Sequence, residues 1–214
     1  MLSPEISPRD IENRSFAIID AETPEPRPFQ GREWEIVRRM IHASADFELL
    51  DLVRFHPKAV ASGVTALRAG CLLVTDTEMG RAGIPARRLL PLGTKSVCFI
   101  GDPGVSASAA ATGRTRSLYA VDKALEQPRD KIFVVGNAPT ALLRLLERVD
   151  GGAAPPALVL AMPVGFVNAA QSKELLLART DIPYIAVAGR KGGTTLACAA
   201  VNALAEIALR RDRE

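Results

Sequence analysis

From Cys71 onward the chain repeats one device, a short run of Val, Ile, Leu and Phe that stops at Gly, Asp, Asn or Pro. The runs occupy residues 71–75, 96–100, 131–135, 157–162 and 183–188. Each is almost continuously apolar instead of alternating. A strand with one wet face carries polar residues at every second position, so these runs are expected to be buried on both faces. Segments of helical spacing lie between them at 138–149, 168–178 and 194–210. Strand alternating with helix gives an α/β fold, a three-layer α/β/α arrangement around a mainly parallel five-stranded sheet.

Local signals mark the helix starts. Asn168 followed by Gln171 resembles a capping box, and Pro139 suits the first turn of a helix that begins after a strand. Upstream, residues 6–22, 33–46 and 57–69 have helical spacing, with a Pro-rich connector at 23–28. A helical amino-terminal region, 1–70, is therefore expected to pack on an α/β core, 71–214, as one domain. The loop at 151–156 is too short to separate a pair of domains, and the sequence holds no internal repeat.

Composition excludes several classes of function. With 27 Lys and Arg against 24 Asp and Glu the net charge is +3, the two signs are interleaved, and only seven Phe, two Tyr and one Trp could stack on bases. A nucleic-acid partner is disfavoured. Cys71, Cys98 and Cys198 are odd in number and set in apolar runs, as expected of reduced thiols in a reducing compartment. Two histidines without a Cys-x-x-Cys argue against a protein-ligated metal site. No run approaches the ~20 apolar residues of a membrane span, and residues 1–12 lack a signal-peptide pattern, so the expectation is a cytoplasmic protein with no membrane partner.

In an open parallel sheet, ligands bind outside the carboxyl ends of the strands. The segment Gly189-Arg190-Lys191-Gly192-Gly193-Thr194-Thr195 places amides, two cations and two hydroxyls there, as an anion cradle would. It is no Walker A loop, because Lys191 precedes the double glycine. A glycine-eased turn with solvated cations fits the same residues. Arg114-Thr115-Arg116-Ser117 is a second basic group, informative only if it reaches the same edge. On the expected helix at 33–46, Trp34, Val37, Ile41 and Ala45 form an apolar stripe, while Arg38, His42 and Asp46 fall four apart beside it. His42 then stands at the margin of the core. There it is either a proton donor facing a cleft or a boundary histidine bonded to backbone. His56, before Pro57, reads as a helix-start residue, and Asp76 and Glu78 as supporting carboxylates after the first strand.

At these residues the sequence resembles the precorrin-8X (cobalt-precorrin-8) methylmutase family over nearly its whole length. The resemblance rests on Ile11-Glu12-x-x-Ser15-Phe16, Arg39-Met40-Ile41-His42-Ala43, Asp76-x-x-Met79-x-x-Ala82-Gly83-Ile84 and Thr115-Arg116-Ser117. It continues through Gly136-Asn137-Ala138-Pro139-Thr140-Ala141-Leu142, Pro163-Val164-Gly165-Phe166-Val167-Asn168 with Ser172-Lys173, and Pro183-Tyr184 to Gly192-Gly193.

The resemblance implies an isomerase of cobalamin biosynthesis that moves a methyl group from C-11 to C-12 of a corrin precursor. It implies a homodimer with sites near the subunit interface, no separate cofactor, and His42 as proton donor to the macrocycle. Cobalt, when present, belongs to the substrate. Such a substrate carries carboxylates around its rim, and the candidate rim contacts are Ser15, Thr115, Arg116, Ser117, Asn137, Thr140, Lys173, Arg190 and Lys191. Met79, Phe166 and Val164 are candidates for the ring faces. Two other readings compete: a non-catalytic corrinoid carrier using the same contacts, and a phosphate-binding enzyme using residues 189–195.

Overall fold

The computed structural model describes residues 7–210, without the side chains of Pro8 and Arg9. The amino-terminal third contains α1 (Pro8–Glu22), α2 (Gly31–Ser44), the single turn α3 (Leu49–Leu52), strand β1 (Val53–Phe55) and α4 (Ala59–Arg68). Then come β2 (Leu72–Thr75), α5 (Glu78–Ala82), α6 (Ala86–Leu89), a 3-10 turn (Leu90–Leu92) and β3 (Lys95–Val97). Two helices follow, α7 (Pro103–Thr112) and α8 (Arg116–Leu125), and then β4 (Lys131–Val135), α9 (Pro139–Asp150), β5 (Leu158–Ala161), α10 (Ala169–Leu177), β6 (Tyr184–Val187) and α11 (Thr194–Leu209).

All six strands join one sheet in the order β1-β6-β5-β4-β2-β3. The five expected strands pair in parallel; β1 pairs antiparallel with β6, Val53 opposite Val187 and Phe55 opposite Ile185. Alternate residues feed two cores. Leu73, Ile132, Val134, Leu158, Leu160 and Ile185 pack with Trp34, Val37, Met40 and Ile41 of α2, Val64 and Leu67 of α4 and most of α11. Leu72, Val74, Phe133, Val135, Val159 and Tyr184 face the other way, onto Val121 and Ala124 of α8, Leu142 and Leu145 of α9 and Leu176 of α10. Each fully buried Leu or Phe contributes about 1.5–3 kcal/mol by leaving water. Helix α11 is buried on nearly every side because Ala197, Ala200, Ala203 and Ala205 let it sit close to both the sheet and α2. The amino-terminal helices thus share one core with the sheet.

The structure corrects several expectations. The sheet has six strands because Val53–Phe55 forms an edge strand too short, and too broken by exposed Arg54, to show periodicity. The second apolar run pairs only at Lys95–Val97, since the chain bends away after it. Helices α7 and α8 went unforeseen. The first is a Gly, Ala and Ser stretch without an apolar stripe, started by Asp102, whose carboxylate accepts the amides of Gly104 and Val105. Asn168 forms no capping box: it lies in the left-handed region at φ 62°, where its side chain makes no cap bond. The helix after His56 begins at Ala59, with Pro57 in the preceding turn. Of the helix expected at 6–22, residue 6 lies outside the described residues. No helix among the described residues is long and apolar enough to cross a membrane.

Candidate active site

The loops leaving the carboxyl ends of β2, β4, β5 and β6 interlock around the first turn of α11. Two glycines are required there by close approach. A Cβ on Gly192 would stand 2.2 Å from the carbonyl oxygen of Met162, and one on Gly136 would stand 2.5 Å from Cα of Thr194. The amide of Gly193 donates to Met162 O at 2.7 Å, which ties this loop to the end of β5.

Asp76, the residue after β2, is buried with its carboxylate against the β4–α9 turn. Oδ2 accepts the amides of Asn137 and Ala138, both at 2.7 Å, and Oδ1 accepts that of Gly136 at 3.1 Å. Burial pushes the Asp76 pKa up, and the three amides pull it down. At the far end of this turn Thr140 accepts a hydrogen bond from Thr115 Oγ1 at 3.2 Å. That bond brings Thr115, the residue before α8, and hence Arg116 and Ser117 in its first turn, to the same edge of the sheet.

His42 is exposed near the carboxyl end of α2 and lies between two hollows. One, of about 280 Å³, is lined by His42, Arg39, Met79, Gly83, Thr194, Thr195, Cys198 and Asn202. The other, of about 320 Å³, is lined by His42, Ser15, Ile18, Glu22, Ala45 and Phe47. Ser15 itself donates to Ile11 O at 2.8 Å. Among the described residues no hydrogen bond or ion pair reaches the imidazole, so the boundary histidine bonded to backbone is not what the fold builds. Its contact is apolar: the ring of Phe16 meets it edge-on with centroids 5.3 Å apart. The guanidinium groups of Arg38 and Arg39 stand 4.5 and 5.4 Å from the same Phe16 ring. Arg38 pairs with Asp20, and Arg39 joins Glu12 of α1 to Glu206 of α11. Asp46, expected beside His42 on the helix, is not there. The helix ends at Ser44, Ala45 takes a left-handed conformation at φ 53°, and Asp46 turns away.

Asp46 instead meets Lys191, with Lys191 Nζ 2.8 Å from Asp46 and 3.0 Å from Glu48. Hydrogen bonding to Asp46 raises the Lys191 pKa, and the Lys191 ammonium lowers that of Asp46. Lys173 is also committed. It is fully buried and donates to Lys191 O at 2.7 Å, and burial lowers its pKa to about 8. Of the expected rim contacts, these two are engaged within the chain: Lys173 is buried under the 189–193 loop, and Lys191 is paired with two carboxylates. Arg190 and Arg116 differ. Arg190 lies over Phe166, 5.5 Å from its ring centre, and neither arginine has a carboxylate partner among the described residues. Asn137 is exposed with no side-chain bond among the described residues, Met79 is 64 % exposed, and Val164 and Phe166 are exposed at the β5–α10 loop.

His56 is buried, accepting from Lys58 N at 3.1 Å with Nε2 3.1 Å from Thr180 O, a structural role that holds the start of α4. Glu78 pairs with Arg81 on the surface. Sequence reasoning underrated Asp76 and missed Asn202; it had Thr194 in the expected cradle and Phe16 in a family-like motif, but set neither beside His42. A signal existed for Lys173, which lies with Ala169, Ser172 and Leu176 on the buried stripe of α10. Cys198 lines the cavity, but burial pushes its thiol to about 11, which leaves it protonated and unreactive. The described residues hold no group of three His, Cys, Asp or Glu placed to bind a metal ion.

Comparison with known proteins shows the family of the chain. The sequence profile of the precorrin-8X methylmutase family matches residues 10–207. The cobalt-precorrin-8 methylmutase of Leptospira interrogans is 43 % identical over 210 residues, covering 95 % of each chain. The precorrin-8X methylmutase of Pseudomonas aeruginosa is 43 % identical over 196 residues, covering 91 % of this chain and 93 % of its own. The crystal structure of precorrin-8X methylmutase from Thermus thermophilus superposes with a TM-score of 0.87 at 46 % identity, covering 94 % of this chain and 96 % of that one. This chain belongs to the precorrin-8X methylmutase family.

Proposed function

We propose that His42 is the proton donor in the reaction that family membership assigns to this chain, the isomerisation in cobalamin biosynthesis that moves a methyl group from C-11 to C-12 of a corrin precursor. The observation that carries the reading is the setting of His42: exposed between two hollows at the carboxyl edge, free of polar partners among the described residues, and held by one aromatic contact. An imidazole so placed can protonate the conjugated macrocycle in contact with it. Protonation draws electron density from C-12 and lowers the barrier to migration, and general-acid catalysis of this kind contributes about 10²–10⁴-fold.

Arg116 and Arg190 supply cations with no carboxylate partner among the described residues, and Asn137, Thr140, Thr115, Ser117 and Ser15 supply hydroxyl and amide groups for the rim. Met79, Phe166 and Val164 offer apolar surface to the ring faces. Hollows of about 280 and 320 Å³ are at or below the size that takes a drug-sized ligand, and a corrinoid is larger. The macrocycle therefore lies across this surface, and a second copy of the chain covers its outer side, which makes the working unit a homodimer. The family resemblance implies a reaction that takes no separate cofactor, in an enzyme that works in the cytoplasm as a single domain.

Mass cannot follow an isomerisation, but the absorption spectrum can. Purified protein is presented anaerobically with the metal-free and with the cobalt-containing precursor. Conversion of either to the spectrum of the rearranged corrin supports the reading; unchanged spectra with both, despite binding, leave a carrier.

A further inference from the structure

We propose that Asp76 is a positioning residue for this reaction, its carboxylate fixing the 136–140 turn so that Asn137, Thr140 and, through Thr115, Arg116 stand where the substrate's rim meets them. The inference rests on the reading of those residues as rim contacts. Asp76 is held first by the sheet, its own amide donating to Val134 O at 3.2 Å beyond the last paired residues of β2. From there its two oxygens take three consecutive amides of the turn just ahead of α9, at 3.1, 2.7 and 2.7 Å. Three donors converging on two oxygens match an acceptor-only carboxylate.

A capping side chain at the residue before a helix reaches only the amides two and three residues further on, inside the first turn, and would leave these three amides, which precede α9, without a partner. Their acceptor is the Asp76 carboxylate, just past β2 and 60 to 62 residues earlier in the chain, while the first turn of α9 itself has no side-chain cap. Burying a carboxylate to do this costs free energy, which the three hydrogen bonds offset. What the buried carboxylate adds is a fixed relation between β2 and the turn. Asn137 is left exposed with its side chain uncommitted among the described residues, and Thr140 is left to hold Thr115 at 3.2 Å. The turn cannot relax toward α11 either, because Gly136 already lies against Thr194, which lines the cavity beside His42.

The test uses the full chain. In Asp76→Asn one oxygen becomes an amide nitrogen that cannot accept, and in Asp76→Glu the charge stays while the acceptor moves by one methylene. Both should speed deuterium exchange at Gly136, Asn137 and Ala138 and raise KM about tenfold while kcat changes by less than about threefold, the mark of displaced binding groups. Combining Asp76→Asn with Asn137→Ala should raise KM by less than the product of the single effects. Should Asp76→Asn fail to fold, Asp76→Glu decides. Faster exchange with unchanged KM, or fully multiplicative effects, overturns the inference. Arg116→Ala and Asn137→Ala with unchanged KM would instead overturn the rim-contact reading on which it rests.

Discussion

Four cations crowd the carboxyl edge, and they divide by circumstance. Arg116 and Arg190 reach into the open without a carboxylate partner among the described residues, whereas Lys191 is clasped by Asp46 and Glu48 and Lys173 is sealed beneath the loop that carries Lys191. All four look alike in sequence, each a basic residue in a family-like motif after or near a strand. A cation is available to a substrate only if the fold has not already engaged it, and here it is engaged by residues far away in sequence.

The largest difference is expected between an arginine and a lysine of the edge. Arg116→Ala should raise KM about 10- to 100-fold, the loss of about 1.5–3 kcal/mol expected for a hydrogen bond to a charged group, while the melting temperature stays close to that of the parent. Lys191→Met removes an exposed pair of small worth and should leave KM within about twofold. Steady-state kinetics on both variants decide the matter, and equal losses would erase the distinction.

Lys173 gives a smaller effect that is read by pH. Burial lowers its pKa to about 8 from the ordinary 10.5, so the folded state disfavours the cation. That cost is complete below about 8 and vanishes as pH climbs toward 10.5. The parent should therefore gain stability relative to Lys173→Met as pH rises through this window. A constant gap in melting temperature between the two chains across pH 7 to about 10.5 would show that the buried ammonium does not titrate there.

The layered α/β fold was readable because burial on both faces leaves continuous apolar runs, and those runs became β2 to β6. Strand β1 was not, since three residues with Arg54 exposed leave no period to detect. Helix α7 escaped for a similar reason, lacking an apolar stripe altogether. Within the site, the helix spacing placed His42 at the margin of the core, where it is found. The same spacing misplaced Asp46, because a left-handed Ala45 ends the helix and nothing in the residue type announces it. Asp76 was underrated because its three partners lie 60 to 62 residues away, a relation that exists only once β2 and β4 are neighbours.

The assignment of proton donation to His42 is tested most directly by His42→Ala, titrated with the corrin precursor and then followed by absorption under anaerobic conditions. The variant should still bind, with affinity close to that of the parent, and should convert bound precursor about 10²–10⁴-fold more slowly. Conversion at the parental rate would contradict the account, because the proton would then come from some other group.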